Sequence, residues 1–250
     1  MDGADSVCAM SPTVGALAIV QARMSSSRLP GKTLADVDGE PMLALLLRRL
    51  SRAREVQSVV VATSADALDD PIVRLAQEIG VGVSRGPRED VLARFLIAIG
   101  EHDGPVVRIT GDCPLTDPQL VDETIARFAS LPGCAYASNV QPRTYPDGLD
   151  VEVIAAAALR AVAGDQLEAA EREHVTSAIR AQPERFPQAA LIASTDLGEL
   201  RWTVDEPEDL EFIRAVVRRL GDRRYQAPLA EILAAVRREP SLAALHGRRG

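Results

Sequence analysis

Short apolar runs alternate with amphipathic stretches over the first two thirds of the chain. The apolar runs are four to six residues long and predict buried strands at 17–20, 58–63, 81–84, 105–110 and 134–139. The amphipathic stretches predict helices at 41–53, 69–79, 90–100 and 117–129. A strand–helix alternation of this kind indicates an α/β fold whose mostly parallel sheet carries helices on both faces.

The pattern changes after Asn139. Residues 141–148, QPRTYPDG, contain two prolines and an Asp-Gly pair and predict a loop. Residues 149–154, LDVEVI, alternate apolar and acidic side chains and predict a half-exposed strand. The remaining pattern predicts helices at 155–162, 171–181, 207–220 and 229–238, and short strands at 188–193 and 201–204. We therefore expect a flexible leader at 1–15, one domain at 16–222, and a C-terminal helix and mobile tail at 223–250.

Composition narrows the functional classes. The 250 residues carry a net charge of −8, which disfavours non-specific nucleic-acid binding. The aromatic content is 3%, so the chain has few rings on which the bases of a single strand could stack. No apolar run reaches the ~18 residues of a membrane span, and the N-terminus lacks the pattern of a signal peptide. Three widely spaced cysteines match neither a metal site nor a disulfide framework. We expect a cytoplasmic enzyme with small-molecule substrates and no nucleic-acid or membrane partner.

The most informative stretch is 17–34, LAIVQARMSSSRLPGKTL. A predicted strand ends in a loop that holds Arg23, Arg28 and Lys32 within ten residues, with no acidic residue among them. Small residues, hydroxyls and cations together are typical of a loop that binds phosphate. Lys32 is the only lysine, and the other 27 of the 28 basic residues are arginine. Position 32 therefore favours a compact ammonium over a planar guanidinium, unless a single lysine has survived by chance in an arginine-biased chain.

Two aspartates follow apolar runs and are candidate metal ligands. Asp112 lies in a Gly-Asp-x-Pro turn directly after the strand predicted at 105–110, and Asp205 follows the short run at 201–204. Ligands of open α/β sheets bind beyond the carboxyl ends of the strands, and Mg²⁺ commonly takes one or two carboxylates together with substrate phosphate. A turn-forming role for Asp112 and helix capping by Asp205 are the structural alternatives. With the cationic loop, the two aspartates indicate a nucleoside triphosphate with Mg²⁺ and no P-loop signature.

Several segments resemble, in family order, the cytidylyltransferases that make CMP-activated sugar acids. The resemblance is strongest to the spore coat polysaccharide biosynthesis protein F family, homologues of 3-deoxy-manno-octulosonate cytidylyltransferase, and covers about residues 16–220. The segments that carry it are IVQARMSSSRLPGKTL (19–34), VVVATSADALDDPI (59–72), RGPREDVLARF (85–95), VVRITGDCPLTDP (106–118), RTYPDGLDVEV (143–153), EREHVT (171–176) and LRWTVDEPEDLEF (200–212).

The resemblance implies a Rossmann-like nucleotidyltransferase fold with a small antiparallel extension, CTP as co-substrate, Mg²⁺ and a homodimer. It implies that the catalytic residues are Lys32, Arg23, Asp112 and Asp205, with Asp112 and Asp205 as the metal ligands. It implies that CTP is bound by Ala22, Arg23, Ser26, Arg28, Lys32, Ala62, Thr63, Arg85, Asp90, Arg94, Gly111 and Asp112. It implies that the acceptor, or the dimer contact, involves Arg143, Tyr145, Asp147, Asp150, Glu152, Glu173 and His174.

The acceptor stays open at this stage. A sugar acid needs a cation, for which Arg143 or Arg172 is available, but the same fold serves an alkylphosphonate or another phosphate-bearing acceptor. His174 is a candidate general base, although a capping role is common for such a histidine. A glycosyltransferase is a second hypothesis, with Asp36-Val37-Asp38 as its metal motif, and a CTP sensor without catalytic activity is a third. If the chain dimerises, we expect contact through the LDVEV segment.

Overall fold

The computed structural model describes residues 15–238. A seven-stranded sheet runs in the order β5–β4–β1–β6–β8–β7–β9, and β2 and β3 form a separate two-stranded antiparallel hairpin. In chain order, the strands are β1 Ala16–Gln21, β2 Asp36–Val37, β3 Glu40–Pro41, β4 Val56–Ser64, β5 Gly82–Gly86, β6 Pro105–Thr110, β7 Tyr136–Ser138, β8 Glu152–Ala155 and β9 Gln188–Ala190.

Nine α-helices connect or follow these strands in the described part of the chain. They are α1 Met42–Leu50, α2 Asp70–Ile79, α3 Val91–Ile99, α4 Pro118–Ala129, α5 Ala156–Ala163, α6 Ala169–His174, α7 Ser177–Arg180, α8 Pro207–Leu220 and α9 Leu229–Arg237. Local sequence sets several helix starts: the Asp117 side chain accepts a hydrogen bond from the Gln119 N–H, and Glu206 and Asp209 form a reciprocal capping box before α8.

The mostly parallel sheet with helices on both faces is confirmed. β4, β1 and β6 are parallel neighbours, whereas β8 is antiparallel to both β6 and β7. One face of β1 packs into a core with α1, α4 and α8, and the other face packs into a second core with α3 and α5. The carboxyl ends of β1, β4, β5 and β6 therefore meet at one edge of the sheet.

Three sequence expectations on secondary structure were wrong. Residues 149–154 are buried except for the half-buried Asp150, and strand β8 is paired on both sides, so this segment is not a half-exposed strand. A dimer contact through this segment stays a prediction. The helix predicted at 171–181 breaks into α6 and α7 because Val175 takes a positive φ of 57°. Residues 201–204 make only an isolated bridge, between Arg201 and Asp147, instead of a strand.

The expected leader and the expected tail concern the two ends of the chain. The leader expected at 1–15 falls on residues 1–14 except for Gly15, and the expected tail falls on 239–250; residues 1–14 and 239–250 lie outside the described part of the chain. Within residues 15–238, no helix has the length and apolar character needed to cross a bilayer.

Arg49 is a fully buried cation that ties α1 to the C-terminal segment. Its guanidinium donates to the carbonyl oxygens of Thr116 (2.9 Å), Leu115 (3.2 Å) and Ala227 (2.8 Å), and also to that of Arg224. Burial lowers the pKa of Arg49 to about 10, so the group stays protonated at neutral pH. One side chain thus provides hydrogen-bond donors to backbone carbonyl groups in two segments, 115–116 and 224–227, that are not part of the sheet.

Replacement of Arg49 by methionine is expected to lower the free energy of unfolding by about 2 kcal/mol, because buried carbonyl groups lose their donor. Chemical denaturation followed by circular dichroism measures the change. Arg48→Met is the matched control, since Arg48 is the exposed neighbour on the same helix and pairs with Glu40 at 3.3 Å. Equal stability losses in the two variants would contradict the role given to Arg49.

Candidate active site

A cleft of about 400 Å³ opens at the carboxyl ends of β1 and β6. It lies on the face of the sheet that carries α3 and α6 and is bordered by the loop that follows β1. Eleven residues named from the sequence line it: Ala22, Arg23, Ser26, Arg28, Lys32, Arg94, Gly111, Asp112, Glu173, His174 and Asp205. The first and last of these residues are 183 positions apart in the sequence, so the topology of the sheet brings them together.

The loop after β1 is held in shape by its own backbone. Gly31 takes a φ of 76°, which favours glycine, and its N–H donates to the Met24 carbonyl at 3.1 Å. The Thr33 hydroxyl donates to the Arg23 carbonyl at 2.8 Å, and the Leu29 N–H donates to the Ser26 hydroxyl at 3.3 Å. These bonds close the loop so that its cations border one cleft.

Asp69 anchors this loop, and sequence reasoning assigned it only to the start of a helix. Its buried carboxylate accepts hydrogen bonds from the Met24 N–H at 2.7 Å and from the N–H of Ser64 at 3.1 Å, and also from the Ser64 hydroxyl. Burial opposes ionisation of Asp69, but these donors outweigh it and lower its pKa. Asp69 therefore joins the loop to the end of β4.

Replacement of Asp69 by asparagine is expected to lower the free energy of unfolding at pH 7 by about 1 to 2 kcal/mol, because an amide offers one acceptor oxygen instead of two. The folded pKa of Asp69 lies below its usual value of 3.8. Its stabilising contribution is therefore present above about pH 4 and is lost as the pH falls through the folded value. The gap between wild type and variant should narrow in acid.

Denaturation curves from pH 7 down to pH 2.5 measure this gap. The matched control is Asp70→Asn, because Asp70 is the adjacent aspartate and makes a half-exposed ion pair with Arg85 at 2.7 Å. A gap that stays constant with pH would contradict the anchoring role of the Asp69 carboxylate.

Lys32 lies between Asp112, which follows β6, and Asp205, which precedes α8. Its Nζ donates to Asp112 Oδ2 at 3.1 Å, to Asp205 Oδ1 at 2.9 Å and to the Val204 carbonyl at 2.6 Å. The ammonium has three N–H groups and meets three acceptors, so its hydrogen-bonding capacity is used fully. The side chain is only 12% exposed. The single lysine thus links the cationic loop, the end of β6 and the segment before α8.

Asp205 is surrounded by cations. Arg28 approaches Asp205 Oδ1 at 2.8 Å, and Arg201 donates to Oδ2 at 2.8 Å. Burial opposes ionisation of Asp205, but the hydrogen bond and charge of Lys32, followed by Arg201 and Arg28, outweigh it and lower the pKa. Asp205 is therefore an ionised carboxylate at neutral pH, and the sequence did not single out Arg201 as its partner.

Close backbone contacts bring residues 202–205 beside Asp112. The Val204 N–H donates to the Asp112 carbonyl at 2.9 Å. Gly148 has a φ of 104°, and a Cβ there would lie 2.4 Å from the Thr203 nitrogen. A Cβ at Gly111 would lie 3.0 Å from the Gln21 carbonyl oxygen, to which the Gly111 N–H donates. Glycine at these two positions therefore lets the aspartate-bearing segments approach.

The donor set suits a divalent cation that is shared with a phosphate ligand. Asp112 and Asp205 supply hard carboxylate oxygens on either side of one position, and a cationic group, the Lys32 ammonium, lies between them. Among residues 15–238, no group of three or more His, Cys, Asp or Glu side chains forms a site by itself. A metal held here would depend on ligands from the substrate.

Several residues named for the nucleotide do not line the cleft. Ala62 and Thr63 are fully buried at the end of β4. The Arg85 guanidinium is bound to Asp70 and to the carbonyl groups of Ser64 and Asp66. Asp90 caps α3 through the Ala93 N–H at 2.8 Å and pairs with Arg172. These four side chains are therefore outside the lining of this cleft.

The residues named for the acceptor divide in the same way. Arg143 binds both oxygens of Asp150, at 2.6 and 2.8 Å, and lies 3.5 Å from Asp147. This group is outside the lining of the cleft. Tyr145 borders a separate cleft between α4 and α9. Glu152 is 4% exposed and its carboxylate is paired with Arg108, so it lies in the interior beside the cleft. Only Glu173 and His174 of this set line the active cleft.

Two alternative sources of chemistry are disfavoured. Burial raises the pKa of the Cys113 thiol well above its usual value, with Asp112 adding to the effect, so Cys113 is no ready nucleophile. Asp36-Val37-Asp38 forms the β2–β3 hairpin, and Asp38 pairs with Arg224 at 2.7 Å. The motif expected for a glycosyltransferase is therefore not part of the cleft lining.

Comparison with known proteins agrees with this geometry. A family described as cytidylyltransferase matches residues 17–224. The spore coat polysaccharide biosynthesis protein SpsF of Bacillus subtilis is 33% identical over 236 residues, which are 91% of this chain and 96% of that protein. The 3-deoxy-manno-octulosonate cytidylyltransferase of Geobacter sulfurreducens is 37% identical over 143 residues, 55% of each chain.

A solved structure extends the likeness to the whole fold. A cytidylyltransferase from Leptospira borgpetersenii superposes with a TM-score of 0.86 at 27% identity, covering 95% of this chain and 98% of its own. The range matched by the family, residues 17–224, includes the cationic loop, Asp112 and Asp205. With its mostly parallel sheet and its matched sequence, the chain belongs to the cytidylyltransferase family.

Proposed function

We propose that the chain transfers CMP from CTP to an acidic sugar, with Mg²⁺, and releases pyrophosphate. The observation that carries this proposal is the position of Lys32 between Asp112 and Asp205, beside a loop that adds Arg23 and Arg28 to the same cleft. The relative that is named as a cytidylyltransferase of a sugar acid supports the acceptor class.

The loop after β1 binds the triphosphate. Arg23, Arg28 and Lys32 provide three cations against a chain whose net charge is −8, so the local field opposes that of the whole protein. Arg94 adds a fourth cation in the cleft wall, and its buried Nε has no hydrogen-bond partner in the part of the chain that is described. An anionic ligand near Arg94 is favoured, because a buried N–H donor without a partner costs free energy.

Asp112 and Asp205 would hold Mg²⁺, which would supply positive charge to the phosphate oxygens. The acceptor oxygen attacks the α-phosphorus of CTP in line with the leaving pyrophosphate. Charge develops on the phosphoryl and pyrophosphate oxygens, and the side chains of Lys32 and Arg23 stabilise it through fixed positive charge. His174, exposed at the rim on α6, is placed to accept the proton of the acceptor hydroxyl.

The test is a pyrophosphate-release assay with the purified full chain, Mg²⁺ and CTP. The acceptor panel contains 3-deoxy-manno-octulosonate, N-acetylneuraminate and 2-aminoethylphosphonate, and each reaction is repeated with ATP, GTP and UTP. Release that requires both CTP and a sugar acid supports the proposal. Release only with the phosphonate would change the acceptor class, and tight CTP binding without release from any acceptor would favour a sensor and overturn the proposal.

A further inference from the structure

Arg108 is a cation of the cleft that sequence reasoning did not name. It lies on β6 opposite Ile19 of β1, on the face of the sheet that borders α3 and α6. With Thr110 and Gln21 it forms the floor of the cleft, and its side chain is 15% exposed. β6 separates β1, which leads into the cationic loop, from β8. Arg108 is therefore on the side of the cleft away from the strands β4 and β5.

A buried carboxylate holds Arg108 in place. Glu152 of β8 pairs with Arg108 Nη1 and also accepts hydrogen bonds from the hydroxyls of Tyr136, at 2.6 Å, and Thr176, at 2.7 Å. Arg108 Nε donates to Gln21 Oε1 at 3.0 Å. Nη2 has no hydrogen-bond partner among residues 15–238. Two of the three guanidinium nitrogens thus fix the group, and the third is left for a ligand.

The other arginines considered for the acceptor are already engaged. Arg172 donates through Nε to Asp90 at 2.6 Å, its Nη2 lies 2.6 Å from the same oxygen, and the side chain is outside the lining of the cleft. Arg143 binds Asp150 with both terminal nitrogens and does not line the cleft. Arg94 enters the cleft from α3, and its Nη1 donates to the carbonyl oxygens of Pro87 and Arg88, at 2.8 and 2.6 Å, in the loop before that helix.

We propose that Arg108 binds the anionic group of the acceptor and makes the enzyme selective for acids. This inference rests on the proposed function, because it assigns the acceptor end of that reaction. A carboxylate or phosphonate is recognised well by a guanidinium whose orientation is fixed in advance, since little side-chain entropy is lost on binding. Glu152 is a positioning residue, because it touches Arg108 and is too deeply buried to meet the ligand.

The test compares wild type with Arg108→Gln combined with Glu152→Gln. The double variant removes both buried charges together, so that neither remains unpaired, and Arg108→Lys is a second variant that keeps the charge. Pyrophosphate release is measured with CTP and with the sugar acid of the panel that wild type uses best. The same assay is run with the carboxamide of that acid, and CTP affinity is measured by calorimetry.

The expected result is an acceptor KM that rises about 10- to 100-fold for the acid in the double variant, with CTP affinity within about twofold of wild type. The preference for the acid over its carboxamide should fall by the same factor, which a loss of stability alone does not produce. An unchanged preference for the acid in a folded, active double variant would overturn the role of Arg108 only. Absence of release from every acceptor by wild type would instead refute the proposed function, and with it this inference.

Discussion

Replacement of Asp112 by asparagine is expected to lower turnover at least about 100-fold and to leave the fold intact. In the proposed reaction, Asp112 carries one of the two carboxylates that would hold the cation, and loss of one preorganised electrostatic group costs an enzyme about 10²- to 10³-fold. The fold should survive because the structural link to residues 202–205 is made by the Asp112 backbone carbonyl, which the substitution keeps. Lys32 also retains Asp205 and the Val204 carbonyl.

The measurement is kcat at saturating CTP and acceptor, together with a titration of Mg²⁺. Weaker metal dependence alongside the lower kcat would show that the carboxylate acts through the cation. Asp103→Asn is the matched control, because that side chain is 81% exposed, pairs with Arg160 and is outside the lining of the cleft. Turnover near wild type in Asp112→Asn would contradict the metal-binding role, although it would leave the family membership as it stands.

The parts of the site that could be predicted from the sequence follow one geometric rule. The ends of parallel strands meet at one edge, so a loop after β1 and an aspartate after β6 had to be neighbours. The apolar runs at 17–20 and 105–110 were clear enough to fix both strand ends. The single lysine among 28 basic residues predicted a position that needs a compact ammonium, and in the structure the Lys32 ammonium donates to three acceptors.

The parts that could not be predicted depend on contacts between distant segments. Arg108 and Glu152 are 44 positions apart and pair across the point where the sheet changes from parallel to antiparallel. In the sequence, the acidic side chain at 152 looked like the exposed side of an amphipathic strand, whereas Arg108 neutralises it in the interior. Periodicity shows which positions differ in polarity, but it does not show which charges will be buried as a pair.

Local signals were also ambiguous where one residue serves two elements. Asp69 precedes an Asp-Pro pair and was read as part of a helix start, while its carboxylate in fact accepts from the Met24 N–H of a loop 45 residues earlier. The break at Val175 has no sequence signal, because valine is among the residues least suited to positive φ. The break places Thr176 against Glu152, so tertiary contacts decide the backbone there.

Replacement of Lys32 is expected to abolish most activity, and the arginine and methionine variants separate its two properties. Lys32→Met keeps the length of the side chain and removes the charge, so Asp112 and Asp205 lose the cation between them. We expect kcat/KM for CTP to fall at least about 100-fold. Lys32→Arg keeps the charge, but a planar guanidinium cannot direct its donors to three acceptors that are grouped around one nitrogen. The Lys32 side chain is only 12% exposed, so the larger group has little room. We expect a loss of at least about 10-fold.

Steady-state kinetics with CTP, thermal unfolding and CTP calorimetry on both variants measure these effects, and Arg28→Lys is the matched control. Arg28 contacts Asp205 from the same loop, but its side chain is 56% exposed, so exchange of one cation for another should be tolerated there. Because arginine supplies every other basic residue of the chain, a fully active Lys32→Arg variant would show that position 32 needs only positive charge. A strong loss in Lys32→Arg with a small one in Arg28→Lys would instead show that the compact shape of the ammonium, as well as its charge, holds the two aspartates at the distance the reaction requires.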